Sequence, residues 1–163
     1  KTDITKVGET RFGYDQVCFT TEINPGSGFK PLNKIASGGE LSRFLLAVKL
    51  CFLGKKNQKT QIFDEIDRGV GGATASAIGK RLLDLSRHEQ VLVVTHSPQV
   101  AAYSDNHVKV EKINTEKSTI TKVETLGEEK IIREIARMLS GELITPEALA
   151  AAARLRNSSK LAS

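Results

Sequence analysis

The chain has no tryptophan and only two tyrosines among its 163 residues, and aromatics make up 5% of it. That leaves little with which to stack unpaired bases, so a stacking platform for single-stranded nucleic acid is not expected. Two cysteines, Cys18 and Cys51, cannot build a disulfide framework, and no CxxC or Cys/His cluster points to zinc. The longest apolar run, FLLAVKLCFL from Phe44 to Leu53, is ten residues long and includes Lys49. It is too short to cross a bilayer, so no membrane partner is expected. No secretory pattern opens the sequence, and a reducing, cytoplasmic setting is the expectation. No basic run of five or more residues occurs. The net charge of +5 permits contact with nucleic acid or a nucleotide without requiring it. Also missing is any GxxxxGK[ST] phosphate loop. The segment GATASAIGKR, from Gly72, has the wrong glycine spacing and no Ser or Thr after Lys80.

What is present is ordinary for a globular domain, with 39% apolar and 26% charged residues in a chain long enough to bury a core. The opening KTDITKVGET shows no dependable period. YDQVCFTTEI (14–23) alternates and predicts a strand, and NPGSGFKP (24–31) predicts a loop. ELSRFLLAVKLCFLG predicts a helix, with Leu41, Phe44, Leu45, Val48 and Phe52 at helical spacing. Leu46, Ala47 and Leu50 make it apolar almost all round, so burial on most sides is expected, with Gly54 at its C-terminal end. KTQIFD, GATASAIGKRLLDLSR and QVLVVTH then read as strand, helix, strand. Such a unit with short connections implies parallel strands, and their near-continuous apolar character predicts burial on both faces. A short helix at PQVAAYS, a hairpin from HVKVEKI and STITKVETL, and two helices, EEKIIREIARMLSG and TPEALAAAARLR, complete the expectation. Thr145 and Pro146 open the last helix well, and the tail NSSKLAS is expected to fray.

The stretch QIFDEIDRGVGG (61–72) follows an apolar strand with Asp64, Glu65 and Asp67, then Gly69, Gly71 and Gly72. Polar residues at the carboxyl ends of parallel strands share one edge, where α/β proteins bind ligands. If the two strands are neighbours, Asp64 and Glu65 come to lie beside Thr95 and His96. The chemistry suits a phosphate site: Asp64 for a hydrated Mg²⁺, Glu65 to orient and deprotonate a water, His96 to hydrogen-bond a terminal phosphate. A cap or solvated loop for the acids, and a structural role for the histidine, are the plainer alternatives. In ASGGELSR (36–43), Ser37, Gly38 and Gly39 precede the apolar helix. Free N–H groups at a helix N-terminus attract phosphate, and the same groups suit a capping box of Ser37 with Glu40. Both readings stay open at this point.

Taken together, SGGELSR, then IFDEID with GVGG, then VVTH resemble the ATP-binding-cassette ATPases in order and spacing. They correspond to signature motif, Walker B, D-loop and switch histidine. Within that class NPGSGFKPLNKIASGGELSR, FDEIDRGVGG, VTHSPQVAAYSDNHVKVEK and EIARMLSGELITPEAL resemble the SMC-related RecN family of bacterial DNA double-strand-break repair proteins, from about residue 12 to residue 156. The resemblance implies an α/β fold: the parallel-sheet C-terminal lobe of an ATPase head, with helices packed on the sheet and a C-terminal β-hairpin plus helices. It implies ATP and Mg²⁺ as cofactors. Asp64 would be the magnesium acid, Glu65 the general base and His96 the switch residue. Asp67 would sit in a segment crossing between two heads. Ser37, Gly38, Gly39 and Glu40 would lie at the γ-phosphate of a nucleotide held by a second head, with Arg43 either supporting that contact or an ordinary surface arginine.

The departures shape the expectation. Without a phosphate loop, adenine platform, Q-loop or coiled-coil arms, the chain is expected to be a single partial domain that works with an N-terminal lobe of the same protein, a second head and DNA. Alone it is expected to hydrolyse ATP negligibly. Ala36, Glu40 and Gln61 also differ from the usual transporter residues. A transporter subunit and a non-catalytic interaction module of the same fold are the alternatives. A Ser/His hydrolase has little behind it, since neither Ser37 nor Ser97 lies in a GxSxG elbow.

Overall fold

The computed structural model describes residues 1–22, 25–34, 38–51, 60–114 and 118–161. The chain opens with an antiparallel hairpin, β1 (Thr2–Thr10) and β2 (Gly13–Thr21), extended by the two-residue β3 (Lys30–Pro31). β1 has no readable period because its register with β2 shifts between Lys6 and Thr10. A shift of that kind exchanges the two faces and cancels the alternation. Backbone pairing, rather than burial, makes this segment a strand.

Helix α1 (Gly38–Cys51) follows, then β4 (Thr60–Asp64), α2 (Gly72–Ser86), β5 (Gln90–Val94) and the short α3 (Pro98–Ala101). β4 and β5 pair in parallel, as the strand-helix-strand pattern predicts, with Thr60 opposite Gln90 and Asp64 opposite Val94. One face of this pair meets α1 and α2. Phe63, Val91 and Val93 join Leu46, Ile66, Ala75, Ile78, Leu82, Leu85 and Val100 in one cluster. Gln61, which breaks the apolar run of β4, is half-buried and donates from Nε2 to Glu89 Oε2 at 2.7 Å.

Two burial expectations need correction. The other face of the β4–β5 pair is bare: Ile62 is 72% exposed and Val94 61%. Helix α1 is not buried on most sides either. Leu46 faces the cluster, whereas Leu41 and Leu45 of the expected stripe are exposed. In both cases the sequence pattern records which faces are apolar, and the described residues supply a cover for only one of them. Phe52 and Gly54, assigned to the end of α1, lie outside the described residues.

The C-terminal part is a second unit of packing. β6 (His107–Asn114) and β7 (Thr119–Leu126) form the expected antiparallel hairpin, followed by α4 (Glu128–Ser140) and α5 (Pro146–Leu161). Leu126, Ile131, Ile135 and Ala136 close against Ala148 and Ala152 of α5 and Ala102 beyond α3. The Thr145 hydroxyl accepts from Ala148 N at 3.2 Å, the expected N-cap. Of the tail, residues 157–161 are helical rather than frayed, and the last two residues lie outside the described ones. α5 runs to Leu161, and Arg156, 4% exposed, donates to the carbonyls of Ala102 and Ser104, both at 2.7 Å. Its guanidinium also grips the Glu128 carboxylate at 3.0 and 3.2 Å, and the buried Ser159 hydroxyl donates to Ala102 O. Hydrogen bonds from Arg156 and then Lys160 hold the Glu128 carboxyl down at about 2. No helix among the described residues is long and apolar enough to cross a membrane.

Candidate functional site

Register builds the site. Because Asp64 pairs with Val94, the chain leaves β4 and β5 at the same level, and Glu65 and Thr95 are the next residues out. Neighbouring strands lie about 4.8 Å apart, so residues 64–67 and 95–97 share one rim at the carboxyl end of the sheet. Asp64, Glu65 and His96 are exposed there. Glu65 has φ of 50°, the single non-glycine residue with positive φ among the described residues. Left-handed backbone costs an L-residue about 1 kcal/mol, and such outliers gather at functional sites. This one turns the chain sharply off β4 into a tight loop, closed by Arg68 N to Glu65 O at 3.0 Å and Val70 N to Asp67 O at 3.2 Å. The Glu65 carboxylate meets Arg68 Nη1 at 2.9 Å. Both side chains are exposed, and a pair of this kind contributes about 0–1 kcal/mol, little enough to be exchanged for another partner.

Asp67 differs from the other two acids. It is 1% exposed. Its Oδ2 accepts from the Thr95 hydroxyl and from Ser97 N at 3.1 Å, while Ser97 N also points at Thr95 Oγ1 at 2.9 Å. Ser97 Oγ in turn accepts from Val100 N at 3.4 Å and caps α3. The other carboxylate oxygen of Asp67, Oδ1, is buried with no partner among the described residues. The family resemblance implies for Asp67 a place in a segment crossing between two heads. In the structure its carboxylate is turned inward and joins the loop after β4 to the segment after β5.

The start of α1 completes the rim. Gly39 is buried, and a Cβ there would lie 3.1 Å from Arg43 Nη1, 3.2 Å from Arg68 O and 3.3 Å from Glu65 O. A side chain there would be tight, and Arg43 or the loop carbonyls would have to give by a few tenths of an ångström, so glycine suits this close approach. Gly38 is exposed, with nothing within 4 Å of an added Cβ, and leaves its backbone open to a ligand. Glu40 is half-buried in the first turn, and Ser37 lies outside the described residues. Arg43, left undecided by the sequence, is not an ordinary surface arginine. Its Nη1 donates to Ile66 O at 3.3 Å and Arg68 O at 3.1 Å, clamping the loop from the α1 side. The signal that could have found it is its spacing, one helical turn after Gly39 on the same face. Gly39, Arg43, Glu65, Asp67, Thr95 and Ser97 thus form one connected set of contacts, with Asp64, Gly38 and His96 exposed around it. Thr95 and Ser97 as partners of Asp67 were not foreseen, because hydrogen bonds between loops leave no periodic trace in a sequence.

Asp64 has no ion-pair partner among the described residues, and no group of three or more His, Cys, Asp or Glu there could hold a metal ion. A single exposed carboxylate fits Mg²⁺, which takes one or two carboxylates and completes its shell with water and phosphate oxygens.

No family model matches the chain. It is 46% identical over 151 residues to DNA repair protein RecN of Rickettsia prowazekii (strain Madrid E), a match that covers 93% of this chain. It is 48% identical over 130 residues to DNA repair protein RecN of Streptomyces coelicolor, covering 80% of this chain. The chain belongs to the RecN family. It spans about a quarter of the length of the curated RecN relatives it matches, 27% and 23% for these two. Among solved structures, this RecN-family chain matches one from work on ATP-driven dimerization and DNA stimulated activation of SMC ATPases, with TM-score 0.52 and 20% identity. That match covers 87% of this chain and 84% of the other. At that identity the likeness shows the fold: a mixed α/β arrangement of the SMC ATPase type, as the sequence motifs imply.

Proposed function

We propose that this RecN-family segment is the C-terminal lobe of an ATP-hydrolysing head that acts, in the cytoplasm, in repair of DNA double-strand breaks. The phosphate loop and its lysine would come from an N-terminal lobe of the same protein. Two complete heads would enclose two ATP molecules, and the protein as a whole would engage DNA. The observation that carries this reading is the parallel register of β4 and β5. It leaves Asp64, Glu65 and His96 exposed on one rim, with the glycine-led start of α1 packed against the same loop.

In this reading Asp64 would hold the Mg²⁺ that accompanies the nucleotide, which when bound would supply charge neutralisation at the phosphates. Glu65, released from Arg68, orients the attacking water and accepts its proton. His96 hydrogen-bonds the terminal phosphate. Ser37, Gly38 and the N–H groups of the first turn, beside Glu40, face the γ-phosphate bound on the second head. Gly39 contributes by bringing α1 down onto the loop, and Arg43 holds it there.

The test is Glu65→Gln in the full-length protein. Hydrolysis should fall by about 100-fold or more, the usual range for loss of a general base, while Mg²⁺-ATP remains bound through gel filtration. This chain by itself should not turn over ATP until the N-terminal lobe is added. Turnover of Glu65→Gln near the wild-type rate would remove Glu65 from the role of base.

A further inference from the structure

All of the hydrogen bonding described for the Asp67 carboxylate goes to one place. Oδ2 takes the Thr95 hydroxyl and the Ser97 amide, the two residues that flank His96, and Oδ1 takes nothing among the described residues. The carboxylate is 1% exposed, so its bonds are shielded from water and stiff. On the other side of the same loop, Arg43 holds the carbonyls of Ile66 and Arg68, the residues on either side of Asp67. The loop cannot shift without moving Asp67, and Asp67 cannot shift without releasing both neighbours of His96. His96 itself is exposed and follows the last residue of β5 by two positions, beyond the strand's own hydrogen bonds.

We infer that Asp67 is a positioning residue. It fixes the backbone on both sides of His96 from the loop that carries Glu65, and so sets the imidazole and the Glu65 carboxylate in register with each other. The inference rests on the proposed ATPase reading of the rim and adds a residue that touches no nucleotide. It gives the carboxylate a task within one head. The two atoms that do the work are Thr95 Oγ1 and Ser97 N, and an amide oxygen in place of Oδ2 can accept from both.

The test is a double-mutant cycle in the full-length protein, with Mg²⁺-ATP turnover measured for Asp67→Ala, His96→Ala and the two together. A misplacement of about 1 Å can lower a rate by about 100-fold, so Asp67→Ala should lower kcat by about 10- to 100-fold and leave KM for ATP within about twofold. In the His96→Ala background the same change should cost nothing further, because the group being placed is gone. Asp67→Asn should restore kcat to within about threefold, since it keeps the accepting oxygen. A rise in KM with kcat intact, or losses that multiply in the double variant, overturns the inference. If Asp67→Ala does not fold, Thr95→Val removes one of the two donors at nearly constant volume and must show the same non-additivity with His96→Ala. If the wild-type protein turns over no ATP, the functional reading has failed. The positioning claim is then decided by the NMR line of the His96 ring. That line should shift or broaden in Asp67→Ala and stay at its wild-type position in Asp67→Asn. An unchanged line in Asp67→Ala overturns the claim.

Discussion

The two hydrophobic clusters of this chain are built from similar residues and finished differently. Around Ile131 and Ile135, α4 and α5 close over each other, and the seam is sealed by Arg156, which satisfies two carbonyls and one carboxylate at once. Around Phe63 and Ile66, one face of the β4–β5 pair is covered by helices and the other, with Ile62, Leu92 and Val94, is open. The exposed acids and His96 lie at the end of the open unit, while the closed unit carries none of the proposed site residues. Bare apolar surface is not confined to the open unit, since the β6–β7 hairpin leaves Val108, Val110 and Val123 exposed; what sets the second unit apart is the sealed seam between its helices.

The contrast can be broken most severely from the closed side. Ile135 is fully buried, and Ile135→Ala should destabilise the purified chain by about 2–5 kcal/mol, read as a lower urea midpoint at unchanged slope. Arg156→Ala should cost about 2 kcal/mol, because the carbonyls it holds lose a buried donor. Glu128, whose folded pKa is depressed from 4.5 to about 2, contributes stability that is present above about pH 4.5 and is lost as pH falls toward 2. An acid titration of Arg156→Ala should therefore be flatter than that of the wild type between those values. The smallest effect belongs to the open side. Ile62→Thr should change the stability of the chain alone by less than about 0.5 kcal/mol. The same substitution in the full-length protein should cost more if that face is covered there, and equal costs in the two settings would erase the contrast.

Much of this was readable from residue patterns. The strand-helix-strand unit, the parallel pairing, the hairpin of β6 and β7 and the Thr145 cap follow from local periodicity and cap chemistry, which act over a few residues. That Asp64 and Glu65 would lie beside Thr95 and His96 was conditional on the two strands being neighbours, and their parallel pairing meets that condition. Three things were not legible. The open faces of β4, β5 and α1 look buried in sequence because hydropathy does not record whether a cover is present. The order of the last helical turns depends on Arg156 and Ser159 reaching Ala102, more than fifty residues back in the chain. The inward turn of Asp67 could not be separated from the outward display of Glu65, two positions earlier, because both are acids in a glycine-rich loop.

The β4–β5 pair has a further consequence. Among the described residues it is a ribbon of two parallel strands, each with an outer edge that meets no other strand. Ribbons of that kind do not persist alone in water and invite annealing with whatever strand arrives first. Yield on refolding from denaturant, and the benefit of a chaperone during synthesis, should therefore depend on how soon a proper neighbour reaches those edges, even where the finished protein is robust.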